Sequence, residues 1–134
     1  MVIVASGYFD PIHIGHLEYL QLSKKLGGKL VVIVNSDKQA KIKKGKSFMP
    51  EDERIKIVKS IKWVDEVILS IDEDLSVCET ITFINTKQHV DILTNGGDIQ
   101  GTCREEDTCN KLNIKLVYGL GDKIQASSNL TGIK

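Results

Sequence analysis

The sequence predicts an α/β fold: a five-stranded parallel sheet with helices on both faces. Two observations carry this. Short apolar runs rich in β-branched residues alternate with segments whose apolar residues recur at helical spacing, and that alternation is what parallel strands joined by crossover helices require. The chain has 134 residues, 41% of them hydrophobic, which is enough to bury one core and too little for two.

Each element has a local reason. Val2 to Ala5 is the first strand. After a glycine-containing turn, Leu17, Leu20, Leu22 and Leu26 fall near helical spacing, and Gly27-Gly28 ends that helix. Leu30 to Val34 is the second strand, and Asn35 to Ser47 reads as a polar, basic loop. Pro50 and then Glu51-Asp52-Glu53 open a helix, because a first turn tolerates proline and favours acids at the positive end of the helix dipole. Ile55, Val58 and Ile61 continue it, and Val67 to Leu69 is the third strand. Ser76 is the expected N-cap of a helix running to about Ile84, with Glu79 three residues on. Val90 to Leu93, Arg104 to Leu112 and Ile114 to Val117 follow as strand, helix and strand, and a short helix is expected after Ser127-Ser128. There is no repeat and no linker, so residues 1–134 read as one Rossmann-like domain.

Composition excludes several classes. Lys and Arg total 18 against 18 for Asp and Glu, so no overall charge draws the chain to nucleic acid or a membrane. No apolar run approaches the roughly 18–20 residues of a membrane span. The first residues lack the pattern of a signal peptide, so a cytoplasmic location is expected. Cys78, Cys103 and Cys109 include no CxxC pair and no histidine at metal-site spacing. Free thiols are the simpler reading, with a Cys103–Cys109 disulfide as the alternative.

Ligands of parallel sheets bind beyond the carboxyl ends of the strands, where the strand order switches. Four of those ends carry loops rich in Gly and polar residues: Ser6 to His16, Asn35 and the lysines after it, Asn95-Gly96-Gly97-Asp98, and Gly119 to Lys123. In the first, His13 and His16 stand three residues apart at an entering helix turn, where imidazoles and open backbone N–H groups together suit phosphate oxygens. Gly15 lets a flat ligand lie on the backbone. Asp10-Pro11 shapes the turn, and Phe9 points to the core rather than the ligand. Ser127 and Ser128, preceded by Lys123, repeat the helix-start logic at the far end of the chain.

The string Gly7-Tyr8-Phe9-Asp10-Pro11-Ile12-His13-Ile14-Gly15-His16 resembles the signature of the cytidylyltransferase-like nucleotidyltransferases. The resemblance runs through nearly the whole chain. Leu30 to Asp37, Lys44-Gly45, Met49 to Arg54, Trp63 to Val67, Asn95 to Asp98 and Lys123 to Leu130 each resemble stretches of the heptose-1-phosphate adenylyltransferase branch. Ala126 stands where many relatives have a serine, and Gly121 near where the glycerol-3-phosphate branch has an arginine.

This resemblance implies transfer of a nucleoside monophosphate from ATP or CTP to a small phosphorylated acceptor, a sugar or alcohol phosphate, with release of pyrophosphate. The acceptor phosphate attacks in line, so catalysis is positioning and charge stabilisation. His13 and His16 would donate to phosphate, with Lys44 beside them. Lys46 and Arg54 would hold acceptor or pyrophosphate. Gly7, Tyr8, Phe9, Asp10, Gly15, Gly96, Gly97, Asp98, Lys123, Ser127 and Ser128 would hold the nucleotide. Backbone groups at Gly96-Gly97 and the carboxylate of Asp98 suit an amine-bearing base, adenine or cytosine. Mg²⁺ is expected on the triphosphate, which should supply most of its ligands, since no Asp/Glu cluster could hold it alone. A homodimer is expected from the resemblance, with Trp63-Val64 as a supporting hint. His89 reads as a surface residue, Trp63 as core edge, and Asp72-Glu73-Asp74 as an exposed acidic loop.

Two other readings compete. His13-Ile14-Gly15-His16 also resembles the class I aminoacyl-tRNA synthetase signature, but the chain leaves no room for an anticodon domain and has no basic face for tRNA. A nucleotide-binding sensor or scaffold without turnover is the non-enzyme alternative.

Overall fold

The computed structural model describes residues 1–96 and 105–120. The chain builds β1 (Val2–Gly7), α1 (Ile14–Lys25), β2 (Lys29–Val34), α2 (Asp37–Lys44), α3 (Glu51–Lys59), β3 (Glu66–Leu69), α4 (Cys78–Lys87), β4 (Ile92–Gly96), α5 (Glu106–Leu112) and β5 (Lys115–Leu120). The five strands form one sheet in the order β3-β2-β1-β4-β5, with every neighbouring pair parallel. The winding direction reverses between β1 and β4, which makes their carboxyl ends the switch point.

Alternate residues of the central strands feed two cores. Val4, Val31 and Ile33 pack with Ile81 and Ile84 of α4 and Cys109 of α5. Ile3, Ala5, Val32 and Val34 pack on the opposite face with Tyr19 and Leu20 of α1 and Val58 of α3. Burial on both faces explains why β2 is apolar throughout rather than alternating.

Two local expectations change. The segment expected to be a basic loop holds α2. Ser36 is its N-cap: its hydroxyl accepts from the Gln39 N–H at 3.1 Å, and the Gln39 side chain accepts from the Ser36 N–H at 3.0 Å. The Gln39 amide is fully buried and donates onward to the carbonyls of Asp74 and Ser76 at 2.6 and 2.9 Å. The second change is at α4, whose N-cap is Val77 rather than Ser76. The cap is supplied by Asp72, whose carboxylate accepts from the N–H groups of Glu79 and Thr80 at 2.8 and 2.9 Å. Asp72 is therefore buried, while Glu73 and Asp74 are exposed as expected.

His89 is exposed and Trp63 half-buried, both as expected. Cys103 and the helix expected after Ser127-Ser128 lie outside the described residues. No helix among the described residues is long and apolar enough to cross a membrane.

Candidate active site

β1 and β4 pair only as far as Ala5 and Thr94. Beyond that point a side chain from α1 stitches the parting strands together. The Tyr19 hydroxyl donates to the Thr94 carbonyl at 2.7 Å and accepts from the Ser6 N–H at 3.3 Å. Ser23, one turn along the same helix, meets the Thr94 hydroxyl at 2.9 Å. A strand end that would otherwise leave its amide unsatisfied is thus capped at the mouth of the crevice.

The loop leaving β1 turns back over its own aromatic residue. Phe9 has a φ of 53° and is 1% exposed, so its ring lies under the loop, in the core as its sequence context implied. Gly7 makes the space: a Cβ there would stand 2.9 Å from the Phe9 ring. That ring in turn meets His16 edge-on, with centroids 4.9 Å apart.

His13 and His16 cap α1 for each other. His13 Nδ1 accepts the Gly15 N–H at 3.1 Å, and His16 Nδ1 accepts the His13 N–H at 3.1 Å. A ring nitrogen that accepts carries no proton, so each neutral imidazole keeps its proton on Nε2, turned away from the helix backbone. The two rings lie 3.9 Å apart at a tilt of 31°. Burial, then repulsion from His13, pushes the His16 pKa down to about 4, so His16 is a neutral donor near pH 7. Gly15 has a use beyond the one expected: a Cβ there would come within 3.0 Å of the His13 ring. The glycine makes room for the histidine itself.

The next segment is tied to this loop by one carboxylate. The Asp10 side chain is fully buried and 2.9 Å from Lys44 Nζ. Its two oxygens accept from the N–H groups of Phe48 and Met49 at 2.7 and 2.5 Å. Burial raises its pKa, but the Phe48 N–H, Lys44 and the Met49 N–H outweigh that and hold it below the usual carboxylate value. Lys43 extends over the Tyr8 ring, 4.5 Å from its centroid.

Arg54 sits underneath. It is 1% exposed. Its Nε donates to the Met49 carbonyl at 2.9 Å, Nη1 to the carbonyls of Tyr8 and Asn35 at 2.8 and 2.7 Å, and Nη2 to Asp37 at 2.6 Å. The expectation of a phosphate cation at Arg54 gains no support from this geometry, because the fork is directed into protein and ties three loops together.

Most of the expected site therefore converges. Gly7, Tyr8, Phe9, Asp10, His13, Gly15, His16 and Lys44 belong to one loop cluster at the ends of β1 and β2, with Arg54 beneath them. Lys46 is exposed on the segment leading from α2 to Phe48. Gly96 ends β4. Gly97, Asp98, Lys123, Ser127 and Ser128 lie outside the described residues. Sequence reasoning missed the amides of Phe48 and Met49 as partners of Asp10, and Tyr19 as the stitch between strands. The second had a signal, a tyrosine on the buried stripe of the first helix.

Comparison with known proteins places this arrangement. The sequence profile described as cytidylyltransferase-like matches residues 4–120, and the chain belongs to that family. Within it, the chain is 36% identical to the FAD synthase of Picrophilus torridus over 110 residues, 78% of this chain and 76% of that protein. It is 49% identical to the FAD synthase of Ferroglobus placidus over 73 residues, 54% of this chain and 47% of the other. The chain thus spans about half the length of several curated relatives that it matches. A crystal structure of a lipopolysaccharide core biosynthesis protein from Thermoplasma volcanium superposes with a TM-score of 0.70 at 30% identity, covering 88% of this chain and 94% of that one.

Proposed function

We propose that the protein transfers AMP from ATP to FMN, forming FAD and releasing pyrophosphate. The observation that carries the phosphoryl-transfer chemistry is the histidine pair. Two imidazoles with both Nδ1 atoms engaged are left with two Nε2–H donors at a helix N-terminus. An FMN phosphate oxygen attacks the α-phosphorus of ATP. The new P–O bond forms as the bond to the bridging oxygen of pyrophosphate breaks, and pyrophosphate leaves with the electron pair. His13 and His16 donate to the phosphate oxygens as that charge moves, and Lys44 and Lys46 add positive charge nearby. The reading includes Mg²⁺ on the triphosphate. Phosphate oxygens and water would supply most of its ligands.

The acceptor comes from the relatives. FMN replaces the sugar or alcohol phosphate expected from the sequence because FAD synthases match the chain at 36% and 49% identity, and ATP follows as the nucleotide. A second reading keeps the sugar-phosphate acceptor and draws on the lipopolysaccharide core biosynthesis role printed for the Thermoplasma volcanium structure. A cytoplasmic location and a homodimer remain part of the proposal.

The test is an acceptor and nucleotide matrix with Mg²⁺, read by flavin chromatography and pyrophosphate release. ATP with FMN should give FAD and pyrophosphate in equal amounts, with CTP much poorer. Pyrophosphate with a sugar phosphate but not with FMN would move the assignment to the second reading. Nucleotide binding without pyrophosphate from any acceptor would leave a sensor or scaffold.

A further inference from the structure

The two most exposed large apolar side chains among the described residues are Phe48, at 74%, and Ile14, at 66%. Both belong to the loop cluster that carries His13 and His16. Ile14 is the first residue of α1 and directly follows His13. Phe48 is fixed to the same loop through its backbone: its N–H donates to Asp10 at 2.7 Å, and the next N–H donates to the other carboxylate oxygen at 2.5 Å. Arg54 holds the Met49 carbonyl from below at 2.9 Å.

A single exposed apolar residue is ordinary on a protein surface. Phe48 differs in how it is held. The chain has three phenylalanines; Phe9 is packed under the histidine loop, while Phe48 stands in water on a backbone anchored to a buried carboxylate. A ring with two side-chain torsions on a fixed backbone loses little freedom when something flat lies against it. Apolar surface next to phosphate donors matches a ligand of the same build, a phosphate monoester that carries a planar aromatic system.

We propose that Phe48 selects the acceptor by stacking on the isoalloxazine ring of FMN, while the phosphate end lies toward His13, His16 and Lys44. A glycerol or sugar phosphate has no flat face to place there. This inference rests on the FMN reading of the site.

The test is titration of FMN by quenching of its fluorescence, with wild type, Phe48→Ala and Phe48→Trp, each also titrated with ATP. Phe48→Ala should weaken FMN binding about tenfold, within the range aromatic stacking supplies, and raise the KM for FMN with little change in kcat. Phe48→Trp should bind FMN as wild type does. ATP affinity and melting temperature should be unchanged in both, since the side chain is in solvent. Wild-type FMN affinity in Phe48→Ala would overturn the role of Phe48 and leave the FMN reading standing. A wild type that binds no FMN would overturn that reading and, with it, the isoalloxazine as the partner of Phe48.

Discussion

The histidine pair and the Arg54 clasp hold the same loop by opposite means. Each imidazole uses Nδ1 on the backbone, which leaves its Nε2 on the other side of the ring. Arg54 places four donor contacts on protein and is 1% exposed. The first arrangement leaves half of each ring's hydrogen-bonding capacity over, while the second commits four of its five N–H groups to protein. Groups for chemistry and groups for shape are separated here by what is left over after the protein's own hydrogen bonds are counted.

That contrast can be broken from the structural side first. Arg54→Met should leave the carbonyls of Met49, Tyr8 and Asn35 without their donor and the half-exposed Asp37 carboxylate without its ion pair, and each buried acceptor left unsatisfied costs about 1–3 kcal/mol. Thermal melting should fall steeply, and activity should fail with the fold. Arg54→Lys should rescue little, because one ammonium cannot replace a fork that reaches three segments. Retained stability in Arg54→Lys would show that the clasp is not the support described.

From the chemical side the effect should fall on rate. His16→Ala should lower turnover by about a hundredfold or more, the usual loss when a donor aimed at transition-state charge is removed. The fold should survive with the loss of one helix cap, about 1 kcal/mol. His13→Ala should behave alike. Normal pyrophosphate release from either variant would remove the histidines as phosphate donors.

Asp10→Asn sharpens the boundary between the two roles. One oxygen remains to accept where two accepted before, and Lys44 loses its ion pair while keeping the Asp10 backbone carbonyl at 2.9 Å. The variant should lose about 1–3 kcal/mol, as expected when a buried N–H is left without an acceptor. The sign of its pH dependence follows from the lowered pKa. In the wild type this contribution is present in full above the ordinary carboxylate value and is lost as pH falls through the folded one. Melting curves taken down the acid limb should therefore converge for wild type and Asp10→Asn.

The last test is the His16 slope. Its pKa falls from 6.5 to about 4 on folding, so the unfolded chain takes up a proton there before the native protein does. Stability should decline as pH falls from about 6.5 toward 4, and His16→Gln should flatten that part of the curve. An unchanged slope in His16→Gln would assign it elsewhere.

Some of this was readable in the residues alone, for physical reasons. β2 announced itself because both its faces are buried, and the histidine spacing announced the loop because it places two rings on one helical turn. The helix at Asp37–Lys44 was hidden because its buried residues are Gln39 and Ala40, which produce no apolar stripe; Ser36 and Gln39 still spelled a capping box. Asp72 looked like surface because the amides it caps lie seven and eight residues away. Arg54 looked like a ligand because a sequence does not say whether a guanidinium points out or in. Gly15 reads in the sequence as room for a ligand and also serves His13.

One feature of the 47–50 turn bears on how such a protein can change over time. Asp10 grips the main chain at positions 48 and 49, not their side chains. Any residue with an amide hydrogen satisfies that grip, and only proline is barred. Substitutions at 48 can therefore accumulate without loosening the frame that carries the histidines, so an acceptor preference set at position 48, as proposed, can drift in a lineage while the loop that bears the histidines is inherited intact.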